Sequence, residues 1–148
     1  MTRKINDKGF DLIKKFEGFR GDYYTDPVGY KTIGYGHACH ANDCSNITPP
    51  LTEAQGEELL REDLVKFEES VESLSPGLNS NQFSALVSFT FNLGSNAYKN
   101  STLLTKIKSG DLEGASEEFG KWVYAGGKKS NGLVKRREAE RELFLQDV

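Results

Sequence analysis

Three side chains in the first third of the chain have the types and spacing that acid–base catalysis requires. Glu17 falls at the end of a predicted helix, where partial burial and the negative end of the helix dipole both disfavour an anionic carboxylate. Asp26 follows nine residues later in an Asp-Pro turn, and Thr32 lies six residues further along, on the predicted return strand. A protonated carboxyl, an ionised carboxylate and a hydroxyl brought together by one hairpin match glycoside hydrolysis. Each residue alone also has an ordinary explanation, as a surface glutamate, a turn aspartate or a strand threonine.

A helix and a small β lobe must position these three residues. Asn6 or Asp7 can cap a first helix with an apolar face, and Gly18 is suited to end it. Short β-prone runs flank Asp26-Pro27-Val28-Gly29, which has the residues that a type I turn favours. The sequence therefore predicts a β lobe at about 20–36.

The remainder of the chain is dominated by helical periods. Thr52 and Gln55 form a capping-box pattern that opens a helix to about 74, which we expect to connect two lobes. Asn79 and Gln82 open the most apolar helix, which ends near Gly94. Further helices are expected at about 102–108, 112–122 and 133–146, with a loop at 124–127. We therefore expect one α+β domain over residues 1–148, in which a helical lobe (78–146 with the first helix) and the β lobe flank a cleft.

Composition excludes several classes of protein. The chain has 148 residues, enough for one domain with a sizeable core, and its net charge of −3 is of the wrong sign for a general nucleic-acid binder. No apolar run approaches the roughly 18 residues of a membrane-spanning helix, and no signal peptide is visible. The charge is uneven, with eight acids and two bases at 52–73 and six bases and two acids at 128–141. Solvated helix faces are the plain interpretation of both runs.

Three ordered motifs resemble those of the phage-type lysozymes, the endolysins of glycoside hydrolase family 24. The first is Phe16-Glu17-Gly18 followed by the continuous segment from Tyr24 to His37, which fills every position of Tyr-x-Asp-x-x-Gly-x-x-Thr-(Ile/Val)-Gly-x-Gly-His. The second is the segment from Leu78 to Gly94. The third comprises the Trp122–Gly127 and Gly132–Glu140 segments. The resemblance covers nearly the whole chain in order.

The resemblance implies a lysozyme-like fold and a peptidoglycan hydrolase that cleaves the β-1,4 bond from N-acetylmuramic acid to N-acetylglucosamine. Glu17 matches the general acid of the family, and Asp26 with Thr32 matches the pair that places and activates water, which gives inversion. The Glu17 and Asp26 carboxyls are then expected about 6.5–9.5 Å apart. No cofactor and no metal are implied, and the expected partner is the glycan strand, with no nucleic acid, no membrane insertion and a monomeric chain.

Other residues receive secondary roles from the same resemblance. His37 is expected to be structural, through packing or hydrogen bonding. Tyr24 and Asn92 match sugar contacts, although Tyr24 could be core and Asn92 a helix-end residue. Arg136 and Arg137 could contact the acidic wall polymer, or both could be structural surface ions. Of the two, Arg137 is taken as the candidate for substrate binding.

Cys39 and Cys44 admit three interpretations. A small disulfide loop is favoured, and it would add about 2 kcal/mol on the entropic model. Free thiols are the second, and a zinc site with the neighbouring His37, His40 and Asp43 is the third, although the spacing repeats no paired zinc pattern. The expected location of the protein depends on the state of the cysteines. A phage-type enzyme is made in the host cytoplasm and released to the wall, whereas paired cysteines favour an extracellular protein.

Two other classes of function remain open from the sequence. A wall-binding protein of the same fold would not need a poised acid, so the intact Glu17, Asp26 and Thr32 set counts against it. A lytic transglycosylase forms an anhydro product internally and needs no water-placing carboxylate, so Asp26 counts against it. A chitin-type hydrolase belongs to the same group of alternatives.

Overall fold

The computed structural model describes residues 3–40, 42 and 44–147. The chain divides into two units. One is Glu17–Val65, and the other combines the described residues before Glu17 with those from Lys66 onward. Each unit is described by itself.

The Glu17–Val65 unit is built on a three-stranded antiparallel sheet in the order β1-β2-β3. Its strands are β1 (Arg20–Thr25), β2 (Lys31–Gly34) and β3 (His37–Ala38). Tyr24 pairs with Thr32 across the first hairpin, and Thr32 pairs with Ala38 across the second. The register shifts between Arg20 and Tyr24, a local irregularity of the kind that bends a strand. Thr32 therefore occupies the central strand, with a neighbour on each side.

Seven α-helices lie in the described chain: α1 (Asp7–Glu17), α2 (Glu53–Leu74), α3 (Ser80–Leu93), α4 (Ser95–Lys99), α5 (Thr102–Lys108), α6 (Leu112–Glu118) and α7 (Asn131–Leu145). A 3₁₀ turn (Phe119–Lys121) extends α6, and β4 (Tyr124–Ala125) pairs with β5 (Lys128–Lys129). Among the described residues, no helix has both the length and the hydropathy needed to cross a membrane.

Aromatic rings form the centre of the larger unit. Phe89 is fully buried on α3 and meets three other rings edge-on, those of Tyr98, Phe119 and Trp122, at centroid distances of 5.5–6.3 Å. Phe119 in turn meets Phe144 of α7 at 5.6 Å. Edge-to-face pairs of this kind add about 0.5–1.5 kcal/mol each to the hydrophobic gain from burial. They join α3, α4, the 3₁₀ turn and α7 into one core.

The predicted α+β class, mainly helical with a small antiparallel sheet, is confirmed. Both capping boxes also form: Gln55 N–H donates to Thr52 Oγ1 at 3.1 Å, and Gln82 N–H donates to Asn79 Oδ1 at 2.8 Å. Three details differ from expectation. The β lobe continues into β3, the residues expected as a loop at 124–127 begin a two-stranded ribbon, and the helix expected at 112–122 ends at Glu118 before its 3₁₀ turn.

Candidate active site

The turn after β1 fixes Asp26 through its own backbone. The Gly29 N–H donates to the Asp26 carbonyl at 2.9 Å, which closes the turn predicted from Asp-Pro-x-Gly. The Asp26 Oδ1 accepts two further hydrogen bonds, from the N–H groups of Val28 at 3.0 Å and Tyr30 at 2.8 Å. The carboxylate is thereby tied to the backbone of the turn, as in an Asx turn.

Thr32 is held beside this turn by a single carbonyl. Its side chain is 3% exposed, and its Oγ1 donates to the Tyr30 carbonyl at 3.0 Å. The same carbonyl accepts the Asp26 N–H at 2.9 Å. A hydroxyl whose proton is already donated keeps its lone pairs as acceptors, so Thr32 can receive a hydrogen bond from water.

Glu17 is the last residue of α1, is partly buried, and lies against the turn that joins β2 to β3. A Cβ added to Gly36 would be 2.6 Å from the Glu17 Oε1, closer than real Cβ contacts. Gly36 also has a φ of +73°, which an L side chain rarely adopts. Gly36 therefore has to be glycine both for the turn and for the space that the Glu17 carboxylate occupies.

The charges of Glu17 and Asp26 both act on the phenol of Tyr24. The pKa of its phenol is raised, first because partial burial disfavours the phenolate and then because Glu17 repels it. Asp26 raises it further, while Arg20, whose guanidinium lies 4.6 Å over the Tyr24 ring, opposes the shift. The phenol is therefore within electrostatic range of both Glu17 and Asp26, on the strand residue that pairs with Thr32.

Two side-chain pairs attach this sheet to α2. The His37 Nδ1 lies 2.8 Å from the Asp63 Oδ2, and the Tyr35 hydroxyl donates to the Glu53 Oε1 at 3.1 Å. Burial and the Glu53 carboxylate raise the pKa of Tyr35 to about 12. These contacts give His37 a packing and hydrogen-bonding environment, although the structural role assigned to it stays a prediction.

A disulfide joins Cys39 and Cys44, so the structure has neither the free thiols nor the zinc-binding thiolates that the sequence left open. Asp43 lies outside the described residues. In the described part of the chain, no three His, Cys, Asp or Glu side chains are grouped to hold a metal ion.

Asn92 and Arg137 meet in the other unit, where the Arg137 Nη2 donates to the Asn92 Oδ1 at 2.6 Å. Arg136 and Arg137 are 4% and 1% exposed, and both approach the fully buried Glu140, at 3.3 and 2.9 Å. The surface position considered for these arginines is therefore wrong. The helical spacing of the two arginines from Glu140 places them around one carboxylate. The substrate-binding role of Asn92 and Arg137 stays a prediction.

Burial dominates the electrostatics of this cluster. It lowers the pKa of Arg137 to about 10, against the opposing pull of Glu140. It also raises the pKa of Glu140, while Arg137, Arg136 and a hydrogen bond from Ser88 oppose the shift. Removing one partner would leave the other charge buried, which is strongly destabilising.

The chain is similar to known proteins over most of its length. The sequence profile of the phage lysozyme family matches residues 14–140. The chain belongs to the phage lysozyme family. The endolysin of Bacillus phage B103 is 45% identical over 145 residues, which are 95% of this chain and 54% of the relative. The endolysin of Acyrthosiphon pisum secondary endosymbiont phage 1 is 41% identical over 145 residues, covering 95% and 97% of the two chains.

A solved relative has the same fold. The muramidase domain of SpmX from Asticaccaulis excentricus superposes with a TM-score of 0.87 at 35% identity, covering 98% of this chain and 99% of that one. The phage lysozyme resemblance recognised in the motifs is thus confirmed, as is the lysozyme-like fold. The chain spans about half the length of the B103 endolysin.

The sequence did not assign a role of their own to three residues at the site. Gly36 was part of a motif, and its Gly-x-Gly context was the available signal for a close backbone approach. Tyr30 was an unspecified motif position, and nothing in its type indicates that its peptide holds Asp26 and Thr32. Asp63 is 26 residues from His37, so only the folded chain pairs them.

Proposed function

We propose that this member of the phage lysozyme family hydrolyses peptidoglycan at the β-1,4 bond from N-acetylmuramic acid to N-acetylglucosamine. The observation that carries the proposal is the attachment of both Asp26 and Thr32 to the peptide of Tyr30. The backbone of one residue thus forms hydrogen bonds with both a carboxylate and a hydroxyl of the same hairpin, and the charge of Glu17 acts on Tyr24 of that hairpin. Similarity to proteins called endolysin and muramidase supports the same substrate.

In this mechanism Glu17 is the general acid and donates its proton to the glycosidic oxygen as the bond to the anomeric carbon breaks. A water that donates one hydrogen bond to Asp26 and another to Thr32 attacks that carbon from the opposite face. Asp26 accepts the proton that the water loses, so the enzyme ends with one proton moved from Glu17 to Asp26. Return of that proton through solvent restores the starting state.

Attack by water on the opposite face inverts the configuration, so the first product is the α-anomer. This requires the Glu17 and Asp26 carboxyls to be roughly 6.5–9.5 Å apart, which stays a prediction. Proton NMR of a fresh digest distinguishes the two outcomes, since a β-anomer as first product would indicate a retaining route.

Wall suspensions and two variants test the function itself. Wild type is expected to clear the suspension, and Glu17→Gln is expected to lose activity by roughly 10²- to 10⁴-fold because it cannot donate the proton. Glu69→Gln removes an exposed carboxylate of α2 and serves as the matched control, with activity like that of wild type. Failure of the wild type to clear any wall suspension, or full activity in Glu17→Gln, would contradict the proposal.

We further infer that the chain acts at the cell wall in an oxidising environment, because a disulfide persists there and is rare in reducing cytosol. Asn92 and Arg137 are proposed as glycan contacts, and the protein as a monomer. The cleft between lobes that the sequence indicated stays a prediction.

A further inference from the structure

Tyr30 is the residue through which Asp26 and Thr32 are connected. Its N–H donates to the Asp26 Oδ1 at 2.8 Å, and its carbonyl accepts both the Asp26 N–H and the Thr32 hydroxyl, at 2.9 and 3.0 Å. The orientation of one residue's two peptide groups therefore sets where the carboxylate and the hydroxyl point. A rotation of the Tyr30 backbone would displace both together.

The Tyr30 backbone orients Asp26 and Thr32, but the Tyr30 ring is not buried in a core. It is 42% exposed, and it stacks on the His40 imidazole with ring centroids 3.7 Å apart and an angle of 18° between the planes. His40 is itself exposed. Two exposed rings in close parallel contact restrict each other's rotamers, and hence the backbone of Tyr30.

His40 belongs to the loop closed by Cys39 and Cys44, which we call the cystine loop (residues 39–44). The loop is attached to the hairpin at both cysteines. The Cys39 N–H donates to the Lys31 carbonyl at 2.9 Å, and the Cys44 carbonyl accepts the Tyr23 hydroxyl at 3.3 Å. His40 therefore stacks on Tyr30 from a loop whose two ends the disulfide joins.

We propose that Tyr30 and His40 are positioning residues, and that the cystine loop holds the water-placing pair in its working geometry through their stack. The inference rests on the proposed function of Asp26 and Thr32. The residues that support Asp26 and Thr32 are then an exposed pair of rings and a disulfide, and not a packed core.

Loss of the stack between Tyr30 and His40 is expected to affect kcat rather than KM. Asp26 and Thr32 act on the attacking water, so a loosened Tyr30 should slow the chemical step and leave glycan binding largely unchanged. On soluble, uncrosslinked glycan strands, Tyr30→Ala and His40→Ala are each expected to lower kcat by about three- to tenfold, the range of one aromatic pair, with KM little changed. Leu145→Ala, which truncates an exposed apolar side chain of α7, is the matched control.

Restoring a ring should restore the rate. Tyr30→Phe is expected to recover the kcat that Tyr30→Ala loses, and His40→Phe the kcat that His40→Ala loses. The double variant Tyr30→Ala/His40→Ala should be no slower than either single variant, because both remove the same contact. If the two losses instead multiply, or if KM rises while kcat is kept, the rings bind sugar directly and the proposal is wrong.

Reduction tests the part played by the disulfide. Dithiothreitol converts the Cys39–Cys44 bond to two thiols and is itself oxidised to its cyclic disulfide. Reduced wild type and the Cys39→Ser/Cys44→Ser variant are both expected to show the kcat loss of His40→Ala, whereas reduction of His40→Ala should lower kcat little further. An unchanged kcat in reduced wild type would remove the cystine loop from the proposal.

A readout that needs no activity separates this proposal from the proposed function. Hydrogen exchange of the Tyr30 amide, measured by NMR, should accelerate in His40→Ala and in reduced wild type because the bond to the Asp26 Oδ1 opens more often. Faster exchange in a protein that clears no wall would overturn the function and leave the positioning intact. Unchanged exchange and unchanged kcat in an active enzyme would overturn the positioning alone.

Discussion

Substitution of Gly36 by alanine tests whether the position of the Glu17 carboxylate limits the reaction. The new Cβ would be 2.6 Å from the Glu17 Oε1, whereas ordinary contacts begin at 3.4 Å, so that oxygen must move by about 0.8 Å. The atom that has to move is the end of a flexible side chain, so relieving the collision costs little stability. A misplacement approaching 1 Å is expected to reduce kcat/KM by on the order of 30- to 100-fold.

A matched control separates backbone strain from the effect on Glu17. Gly77 has a φ of +86°, close to the +73° of Gly36, but a Cβ there would meet nothing within 4 Å. Each alanine forces a left-handed conformation at about 1–2 kcal/mol, which lowers Tm by roughly 2–8 °C in a chain of this size. We expect similar Tm values for Gly36→Ala and Gly77→Ala, but a large loss of kcat/KM only for Gly36→Ala.

The assay is turnover of soluble glycan strands at a temperature where both variants are folded, with Tm followed by circular dichroism. If Gly36→Ala stays within about threefold of Gly77→Ala in kcat/KM, the close approach to Glu17 has no catalytic importance. A much larger loss of Tm in Gly36→Ala would show instead that the strain, and not the carboxylate, dominates.

Three further outcomes follow from buried side chains. His37→Ala is expected to lower the free energy of unfolding in urea by about 1–3 kcal/mol, because the Asp63 carboxylate loses its partner. Arg137→Ala is expected to cost about 3–5 kcal/mol in the same assay, because it leaves Glu140 buried beside a single arginine. The raised pKa of Tyr35 means that the folded state holds the phenol proton more tightly, so stability is full below about pH 10 and falls towards pH 12; Tyr35→Phe should make that fall shallower in urea melts taken across this range.

Each of these expectations has its contrary result. A His37→Ala protein as stable as wild type would mean that the Asp63 carboxylate finds another partner. An Arg137→Ala protein of wild-type stability would show that Glu140 is neutral or solvated. A fall of stability between pH 10 and pH 12 that is identical in Tyr35→Phe would assign that titration to other groups.

Local patterns in the sequence predicted the parts of the fold that local physics decides. The capping boxes at Thr52 and Asn79 and the turn at Asp26 involve residues three or four apart, and all of them form. The ribbon at Tyr124–Ala125 and Lys128–Lys129 was missed because a Gly-Gly pair indicates a loop as readily as a hairpin turn.

Charge counts and residue types predicted less about the distant contacts. The basic run at 128–141 suggested a solvated face, yet Arg136 and Arg137 are buried because Glu140 and Asn92 lie where the folded helices meet. The stack of Tyr30 on His40 could not be predicted either, since the two residues are ten positions apart and only the folded chain brings their rings together. Motif spacing located the reacting groups, but not the residues that hold them.

The most direct test of the proposed function is the chemical identity of the ends that the enzyme creates. Purified peptidoglycan is digested to completion, the new reducing ends are converted to alditols with borohydride, and the fragments are identified by mass spectrometry. Water-dependent cleavage of the proposed bond gives N-acetylmuramitol at the new ends, and over the same time Glu17→Gln should form these ends roughly 10²- to 10⁴-fold more slowly. Anhydro-muramyl ends would show that the water-placing pair of Asp26 and Thr32 does not act as described, and N-acetylglucosaminitol would show that the other glycosidic bond is cleaved.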